Sequence, residues 1–204
     1  MESVSAKTDA FKDLFSFAPE KVDEIVAFHL DNGGMSRYEK FGIIYSSILK
    51  IPLSQQRFLE LSDEFASNVH QKVIDSQFVD GAKEFLEKYY GKIALYVVSA
   101  TPEQELKHIL RERQIIHFFI SVRGSPEKKI IHLKEIMEKR HHNPSTTIFV
   151  GDAKNDYDAS KEAGIRFIAR IRHGDPDRFI GLPDIEYKIK DLYELDKYIG
   201  DLLC

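Results

Sequence analysis

The sequence changes its pattern at residue 93, and this change limits the possible folds more than any other feature. From there on, short apolar runs rich in β-branched residues alternate with segments whose apolar residues recur at helical spacing. The apolar runs cover residues 93–100, 118–122, 147–152 and 166–171, and a last strand is expected near residues 186–189. Continuous runs of this kind are typical of strands buried on both faces of a parallel sheet. This part of the chain therefore predicts a Rossmann-like, doubly wound α/β fold.

The part of the chain before this change predicts helices. Ser36 and Glu39 have the spacing of a capping box, in which the two side chains cap the start of a helix. Ser54 opens a long segment whose apolar residues keep to one face. We therefore expect an α-helical cap over residues 1–78 and an α/β core over residues 79–204. No linker-like composition separates the two parts, so this boundary rests on the pattern alone.

Composition and charge argue against several classes of protein. The chain has 43% hydrophobic and 30% charged residues, as soluble globular proteins do. A formal net charge of −4 gives no basic surface for nucleic acid or an anionic membrane. The single cysteine, Cys204, cannot form an intramolecular disulfide, and the start of the chain lacks the apolar segment of a signal peptide. We therefore expect a cytoplasmic protein that binds neither nucleic acid nor membranes.

Polar residues follow three of the predicted strands. Ser99 ends the first strand, Lys129 comes shortly after the second, and Asp152 directly follows the third. Ligands of open parallel sheets bind beyond the carboxyl ends of the strands, so we expect these side chains to meet. A hydroxyl group and a fixed positive charge suit a phosphoryl group, and a carboxylate suits Mg²⁺. The three residues together predict a metal-assisted phosphoryl-transfer site.

Each of these residues also has an ordinary interpretation. Ser99 could cap the helix that follows it, and a lysine in a first helical turn, such as Lys129, is usually solvated. Asp156 could be no more than the negative charge that is favourable near a helix N-terminus. The order of the residues, each near the carboxyl end of a predicted strand, favours a functional site over these separate explanations.

Three stretches resemble the motifs of a known enzyme family, the haloacid dehalogenase-like (HAD) hydrolases. YVVSATP at residues 96–102 is similar to their second motif, and GSPEKK at residues 124–129 is similar to the third. FVGDAKNDYDASKEAGI at residues 149–165 resembles the fourth. The helical segment resembles the cap that such enzymes insert between the first two motifs. Response-regulator receivers also use Asp, Ser or Thr and Lys at strand ends, but their acidic residues come first, whereas here they come last.

The resemblance implies a Mg²⁺-dependent phosphatase of a small phosphorylated metabolite, such as a sugar phosphate or a phosphoglycolate-like ester. It implies that Ser99 and Lys129 hold the phosphoryl group. It implies that Asp152 is a ligand of Mg²⁺ and that Asp156 orients Lys129 and the groups that surround the metal ion.

Four further residues are candidates for binding the substrate. Ala100 and Thr101 directly follow Ser99. Arg37 and Lys40 come just after the turn sequence DNGG and are candidates for contacts from the cap to the substrate. A solvated helix start explains Arg37 and Lys40 equally well.

The sequence departs from the family at the first motif. In the family, this D-x-D-G motif ends the opening strand and carries the aspartate nucleophile, which becomes phosphorylated, and the aspartate general acid/base. Residues 2–11 resemble the continuation just after that motif. D-x-D stretches also occur at residues 156–158 and 175–177, but neither stands at the end of a strand, as the first motif does. We therefore expect the chain as given to begin past the first motif, to bind Mg²⁺ weakly and to be inactive or nearly so. The alternative is a non-catalytic remnant that binds a phosphorylated ligand or a partner.

The missing strand would also affect the sheet. In the family it lies between the strands that carry the second and fourth motifs, so its loss would expose two strand edges. We expect one of three outcomes: the sheet closes up in a shifted order, an N-terminal or partner segment fills the slot, or the sequence is a shortened form. The exposed edges would permit strand-edge association, while the sequence predicts neither the oligomeric state nor the substrate.

Overall fold

The first part of the chain is helical, as its sequence pattern predicts. The structure, a computed structural model, describes residues 2–203, so Cys204 and the prediction made for it lie outside the described residues. The helices of this part are Val4–Leu14 (α1), Val22–Asp31 (α2), Arg37–Ile43 (α3), Gln55–Asp75 (α4) and Ala82–Tyr89 (α5). A 3-10 turn at Pro19–Lys21 and a π-helical turn at Ile44–Leu49 complete it.

The predicted helix starts at Ser36 and Ser54 are confirmed. The Ser36 hydroxyl accepts a hydrogen bond from the Glu39 N–H, and the Glu39 carboxylate accepts one from the Ser36 N–H, which completes the capping box. The Ser54 hydroxyl accepts a hydrogen bond from the Arg57 N–H at 3.1 Å. The first of these caps fixes the point at which α3 begins after the DNGG turn.

A cluster of apolar side chains holds the helices together. Phe11 of α1, Phe15 directly after α1, Phe41 of α3 and Leu61 of α4 are almost fully buried in it. Burying a side chain of this size stabilises the fold by about 1.5–3 kcal/mol. The cluster also includes Ile109 from the second part of the chain, so the two parts share apolar contacts. The boundary predicted between a cap and a core remains a prediction.

The second part alternates strands and helices, which confirms the predicted α/β fold. The strands are Tyr96–Pro102 (β1), Ser121–Ser125 (β2), Ile148–Gly151 (β3), Arg166–Arg170 (β4) and Ile185–Ile189 (β5). The helices are Glu103–Glu112 (α6), Lys129–Arg140 (α7), Lys154–Ala163 (α8) and Leu192–Leu203 (α9), with 3-10 turns at Ile116–Phe118 and Pro144–Thr146. Every strand pairing among the described residues is parallel.

Two strands begin later than the apolar pattern predicts. β1 begins at Tyr96 rather than at residue 93, and β2 begins at Ser121 rather than at residue 118. Phe118 and Phe119 instead pack into the apolar cluster between α6 and β2. An apolar run predicts burial, but it does not separate a strand from a buried turn that leads into the strand.

The sheet is divided into two parts. β1 pairs with β2, and β3, β4 and β5 pair in that order, while no hydrogen-bonded pairing joins β1 to β3 among residues 2–203. The sheet therefore does not close up in a shifted order. Residues 96–102 are only half-buried, because β1 has no neighbour on its second side, so the prediction of a strand buried on both faces is wrong for β1. In β4, by contrast, residues 167–169 are fully buried.

Helices α7 and α8 hold the two parts of the sheet side by side. Leu133 of α7 and Ala159 of α8 share an apolar cluster with Val98 of β1 and Phe149 of β3. The carboxyl ends of β1 and β3 consequently open at the same edge, toward the helical part of the chain. None of the described helices is long and apolar enough to cross a membrane.

Candidate active site

A cavity of about 690 Å³ lies where the carboxyl ends of β1 and β3 meet the helical part of the chain. The structure brings to this cavity all the site residues that the sequence singles out. From the α/β part these are Ser99, Ala100, Thr101, Lys129, Asp152 and Asp156, and from the helical part they are Arg37 and Lys40. Side chains that are far apart in the sequence therefore share one solvent-filled space.

Lys129 and Asp156 form a buried ion pair at the floor of the cavity. The Lys129 Nζ donates to Asp156 Oδ1 at 2.5 Å, and both side chains are 8% exposed. Asp156 Oδ2 accepts a second hydrogen bond from the Ala153 N–H at 3.2 Å. Burial raises the pKa of Asp156, while the Lys129 ammonium and the Ala153 N–H act in the opposite direction. Lys129 is thus held in place rather than solvated at a helix start.

The glycine before Asp152 allows this arrangement. A Cβ on Gly151 would lie 2.3 Å from the Asp156 Cβ, a distance that no two non-bonded carbon atoms tolerate. Only glycine lets α8 bring Asp156 against the end of β3. Asp158, two residues further along α8, is exposed and pairs with Lys154 on the surface.

Ser99 does not cap the helix that follows it. α6 begins at Glu103 after Pro102, and no side chain caps that helix. The Ser99 Oγ instead accepts a hydrogen bond from the Thr101 N–H at 3.2 Å and lines the cavity. The hydroxyl group is therefore available to a ligand.

Asp152 follows β3 and is exposed to solvent at the mouth of the cavity. Among residues 2–203, its carboxylate has no ion-pair partner, and no group of three or more potential metal ligands is present. Mg²⁺ is commonly held by one or two carboxylates together with water and phosphate oxygens. The residues present could bind such an ion through one protein ligand, Asp152. Asp156 is already paired with Lys129.

Arg37 does not belong to a solvated helix start. It is 9% exposed, and its guanidinium donates to the Glu105 carboxylate of α6 at 2.6 Å. The guanidinium also lies 5.1 Å from the centre of the Phe65 ring. The Arg37 Nε is buried and has no hydrogen-bond partner among the described residues. Arg37 therefore ties the helical part to the α/β part beside the cavity.

Lys40 is likewise buried, at 3% exposure. Its Nζ donates to the His29 carbonyl oxygen at 3.0 Å and lies 3.0 Å from the His29 Nδ1. Burial, with the neighbouring ammonium groups of Lys7 and Lys129, lowers the pKa of Lys40 to about 7. Burial and Lys40 lower the pKa of His29 to about 3, so this ring is neutral and its Nδ1 accepts from Lys40.

Sequence reasoning missed Lys7, which lines the cavity from α1. Burial is the largest cause of its lowered pKa. A signal was present in the sequence, because Lys7 precedes Ala10, Phe11 and Leu14 by three, four and seven residues, and these three form the buried face of α1. A lysine on the apolar face of a helix is therefore a signal for a buried cation.

The DNGG turn brings the helical part down to Lys129. Gly34 has a φ of +79°, and a Cβ there would lie 2.9 Å from the Ala153 Cβ and 3.0 Å from the Lys129 Nζ. This close approach, in a conformation that favours glycine, requires the absence of a side chain. The turn therefore closes one side of the cavity over Lys129.

Comparison with known proteins agrees with this geometry. The family model of the haloacid dehalogenase-like hydrolases matches residues 35–170, about two thirds of the chain. A phosphoglycolate phosphatase from Vibrio vulnificus is 32% identical over 126 residues, which are 57% of this chain and 54% of that protein. The chain thus spans about half the length of this phosphoglycolate phosphatase.

Solved structures share the fold over almost the whole chain. A protein from Haemophilus somnus, predicted to be a phosphoglycolate phosphatase, has a TM-score of 0.72 at 18% identity and covers 97% of this chain and 92% of its own. A protein from Bacillus subtilis assigned as a HAD-hydrolase, solved with bound magnesium, has a TM-score of 0.68 at 17% identity, covering 98% and 93%. At these identities the likeness concerns the fold alone.

Proposed function

This chain belongs to the haloacid dehalogenase-like hydrolases, and we propose that its cavity is the phosphoryl-binding part of a phosphatase site for a small phosphorylated metabolite. The observation that carries the proposal is the convergence of the Ser99 hydroxyl, the Lys129 ammonium and the Asp152 carboxylate on one cavity. A phosphoryl group needs hydrogen-bond donors and a fixed positive charge, and a nearby carboxylate allows a divalent cation to share its charge.

Ser99 and Lys129 bind the phosphoryl oxygens in this proposal. The Thr101 N–H already donates to the Ser99 Oγ, which leaves the Ser99 O–H free to donate to a phosphoryl oxygen. Asp156 orients Lys129 through their ion pair. Ala100 and Thr101 form the wall of the cavity beside the phosphoryl group.

Asp152 is the residue that we propose as the ligand of Mg²⁺. When bound, the ion would neutralise part of the negative charge on the phosphoryl group. With a single carboxylate free to bind it, we expect the chain alone to hold Mg²⁺ weakly.

We further propose that the chain as given does not hydrolyse phosphate esters. Of the carboxylates at the floor of the cavity, Asp156 is paired with Lys129 and Glu105 with Arg37. The family resemblance assigns the nucleophile to a further strand, and the unpaired edges of β1 and β3 face a gap that suits one. A parallel strand in this gap would end beside the phosphoryl-binding residues, and its terminal carboxylate would be the nucleophile.

Titration calorimetry with inorganic phosphate tests the binding part of the proposal. We expect the native chain to bind phosphate and Lys129→Ala to lose this binding. Lys128→Ala is the matched control, because Lys128 is the exposed residue next to it and should leave the affinity unchanged. Equal affinities in both variants would contradict the proposed site.

Turnover of p-nitrophenyl phosphate in the presence of Mg²⁺ tests the predicted inactivity. We expect no hydrolysis above that of buffer, since loss of a nucleophile typically lowers a rate by about a million-fold. Measurable hydrolysis by the chain as given, abolished by Asp152→Asn, would show that the chain is a complete enzyme.

A second candidate function is non-catalytic binding of a phosphorylated ligand. The divided sheet favours it, because the phosphoryl-binding residues come together without a strand between β1 and β3. Binding that needs no Mg²⁺ and is lost in Lys129→Ala would support this function. Hydrolysis restored by a supplied strand would instead support the phosphatase.

The substrate class that we propose is a sugar phosphate or a phosphoglycolate-like ester. The second is supported by the similarity to the phosphoglycolate phosphatase of Vibrio vulnificus.

A further inference from the structure

Lys40 is a lysine in the wall of the cavity that lacks a counter-charge. It lines the cavity from α3, and its side chain is 3% exposed. Among residues 2–203, no carboxylate lies within ion-pair distance of its Nζ, whereas Lys129 is paired with Asp156. An ammonium group buried without a counter-charge is costly, and a neutral amine avoids this cost. The surroundings of Lys40 therefore favour the neutral amine.

The hydrogen bonds of Lys40 suit a neutral amine as well. Its Nζ lies 3.0 Å from the His29 carbonyl oxygen and 3.0 Å from the His29 Nδ1. A neutral amine donates its two N–H groups to these two acceptors and keeps its lone pair free. An ammonium group has a third N–H, for which the described residues offer no acceptor. The Phe11 ring, whose centre lies 5.7 Å away, attracts a cation only weakly.

Neighbouring cations act in the same direction. Burial, followed by the charges of Lys7 and Lys129, lowers the pKa of Lys40 to about 7, so about half of the group is neutral at pH 7. Lys7 differs, because Glu105 and Asp152 both stabilise its charge. Desolvation and a nearby cation are the two features that make a lysine nucleophilic toward carbonyl compounds.

We infer that Lys40 is a nucleophilic amine that forms a Schiff base with a small aldehyde in the cavity. The ligand class is a short-chain aldehyde that carries a phosphoryl group, because Ser99 and Lys129 line the same cavity. The preference for a phosphoryl group rests on the proposed function, whereas the reactivity of the amine does not.

The reaction joins the Lys40 nitrogen to the carbonyl carbon of the aldehyde. The lone pair attacks this carbon, the nitrogen loses one proton and the carbonyl oxygen gains one, which gives a carbinolamine. A proton from solvent then lets the hydroxyl group leave as water, and the product is a protonated imine. No atom is oxidised or reduced. The positive charge of the imine is stabilised by a phosphoryl group bound in the same cavity.

Reductive trapping tests the inference. The full chain is incubated at pH 7 with glycolaldehyde phosphate and sodium cyanoborohydride, which reduces imines in preference to aldehydes. Peptide mass spectrometry then locates the label. We expect Lys40 to be labelled at least about a hundredfold faster than the exposed lysines, since fewer than about one in a thousand of those is neutral at this pH. The position of the label in the native chain needs no variant.

Three variants separate reactivity from charge. Lys40→Met and Lys40→Arg should both lose the label at residue 40, although arginine keeps the positive charge. Lys50→Met is the control, because Lys50 is an exposed lysine that follows the same helical segment, and its loss should leave the labelling of Lys40 unchanged. Labelling of other lysines at an undiminished rate in Lys40→Arg would show that the trapped amine is not Lys40, which overturns the inference.

Glycolaldehyde, which lacks the phosphoryl group, separates this inference from the proposed function. Slower labelling of Lys40 by glycolaldehyde than by its phosphate, with a difference that disappears in Lys129→Ala, supports both. Equal labelling of Lys40 by the two probes in the native chain supports the nucleophilic amine and contradicts the proposed phosphoryl site. Labelling of Lys40 no faster than that of the exposed lysines overturns the inference and leaves the proposed function intact.

Discussion

At the scale of single residues, the ion pair with Asp156 determines where Lys129, the proposed phosphoryl-binding lysine, lies. The two groups are 2.5 Å apart, and each side chain is 8% exposed. A buried pair of this kind adds little to stability compared with apolar residues of similar size. Removing one partner, however, leaves a buried charge without compensation. The contribution of the pair to stability is therefore best measured by replacing one of its two residues.

Asp156→Asn should destabilise the protein by about 3–5 kcal/mol, because it leaves the Lys129 ammonium buried without its carboxylate. The free energy of unfolding in urea measures this change. Asp158→Asn is the matched control, since Asp158 lies on the same helix but is exposed and pairs only with Lys154 at the surface. It should change the free energy of unfolding by about 1 kcal/mol or less. Similar losses in the two variants would show that Asp156 is not a buried ion-pair partner.

Lys40 should make the binding of an anion in the cavity depend on pH. The groups that face it are His29, Lys7, Phe11 and Lys129, and its pKa in the free protein is about 7. A bound anion raises the pKa of Lys40, so affinity is complete below pH 7 and falls as pH rises above 7.

Calorimetry with phosphoglycolate between pH 7 and pH 9 measures this effect, in a range where the phosphoryl group is already a dianion. The decline can reach about tenfold per pH unit for one proton. Lys40→Met should reduce this decline. An affinity for phosphoglycolate that stays constant over this range would mean that Lys40 does not face the anion.

At the scale of elements, the DNGG turn brings the helical part against Lys129 and Ala153. Gly34→Ala should destabilise the protein by about 1–2 kcal/mol, because its φ of +79° is unfavourable for alanine. It should also weaken phosphate binding, since the added Cβ would lie 3.0 Å from the Lys129 Nζ. Thermal unfolding and calorimetry measure the two effects.

Gly42→Ala is the control for this turn variant. Gly42 lies within α3, and a Cβ there would meet nothing within 4 Å. Alanine should therefore be neutral or stabilise the helix by about 0.5–1 kcal/mol. If Gly34→Ala and Gly42→Ala change the stability and the phosphate affinity to the same extent, the turn does not pack against Lys129 as described.

The elements themselves show what a sequence can predict. Local signals gave the caps at Ser36 and Ser54 and the alternation of strands and helices, because capping and periodicity depend on neighbouring residues. The strand-end rule placed Ser99, Lys129 and Asp152 at one edge, because parallel strands share a direction. The starts of β1 and β2 were predicted three residues too early, because apolar residues also pack in the turns before them.

Contacts between distant parts of the chain could not be predicted in this way. Nothing local in the sequence shows that Arg37 of α3 meets Glu105 of α6, or that Lys40 meets His29. Lys7 lies far from any strand end, so the strand-end rule does not find it, although its place on the apolar face of α1 is visible in the sequence. Tertiary packing, which the sequence pattern does not contain, decides these contacts.

At the scale of the whole molecule, the α/β part and the helical part share one cavity, and the sheet beneath it is divided. The α/β part provides the hydroxyl, the ammonium and the carboxylate that suit a phosphoryl group, and the helical part provides Lys7 and Lys40. The gap between β1 and β3 adjoins the same cavity. We therefore propose that this chain binds a phosphoryl group without hydrolysing its ester.

The central claim is that phosphate binds between the ends of β1 and β3 and the start of α7. Backbone amide chemical shifts, followed by NMR while inorganic phosphate is added to the full chain, test it most directly. The account predicts that the largest changes occur at residues 99–101, at Lys129 and at residues 151–153. Changes that are largest elsewhere, or no changes at millimolar phosphate, would contradict it.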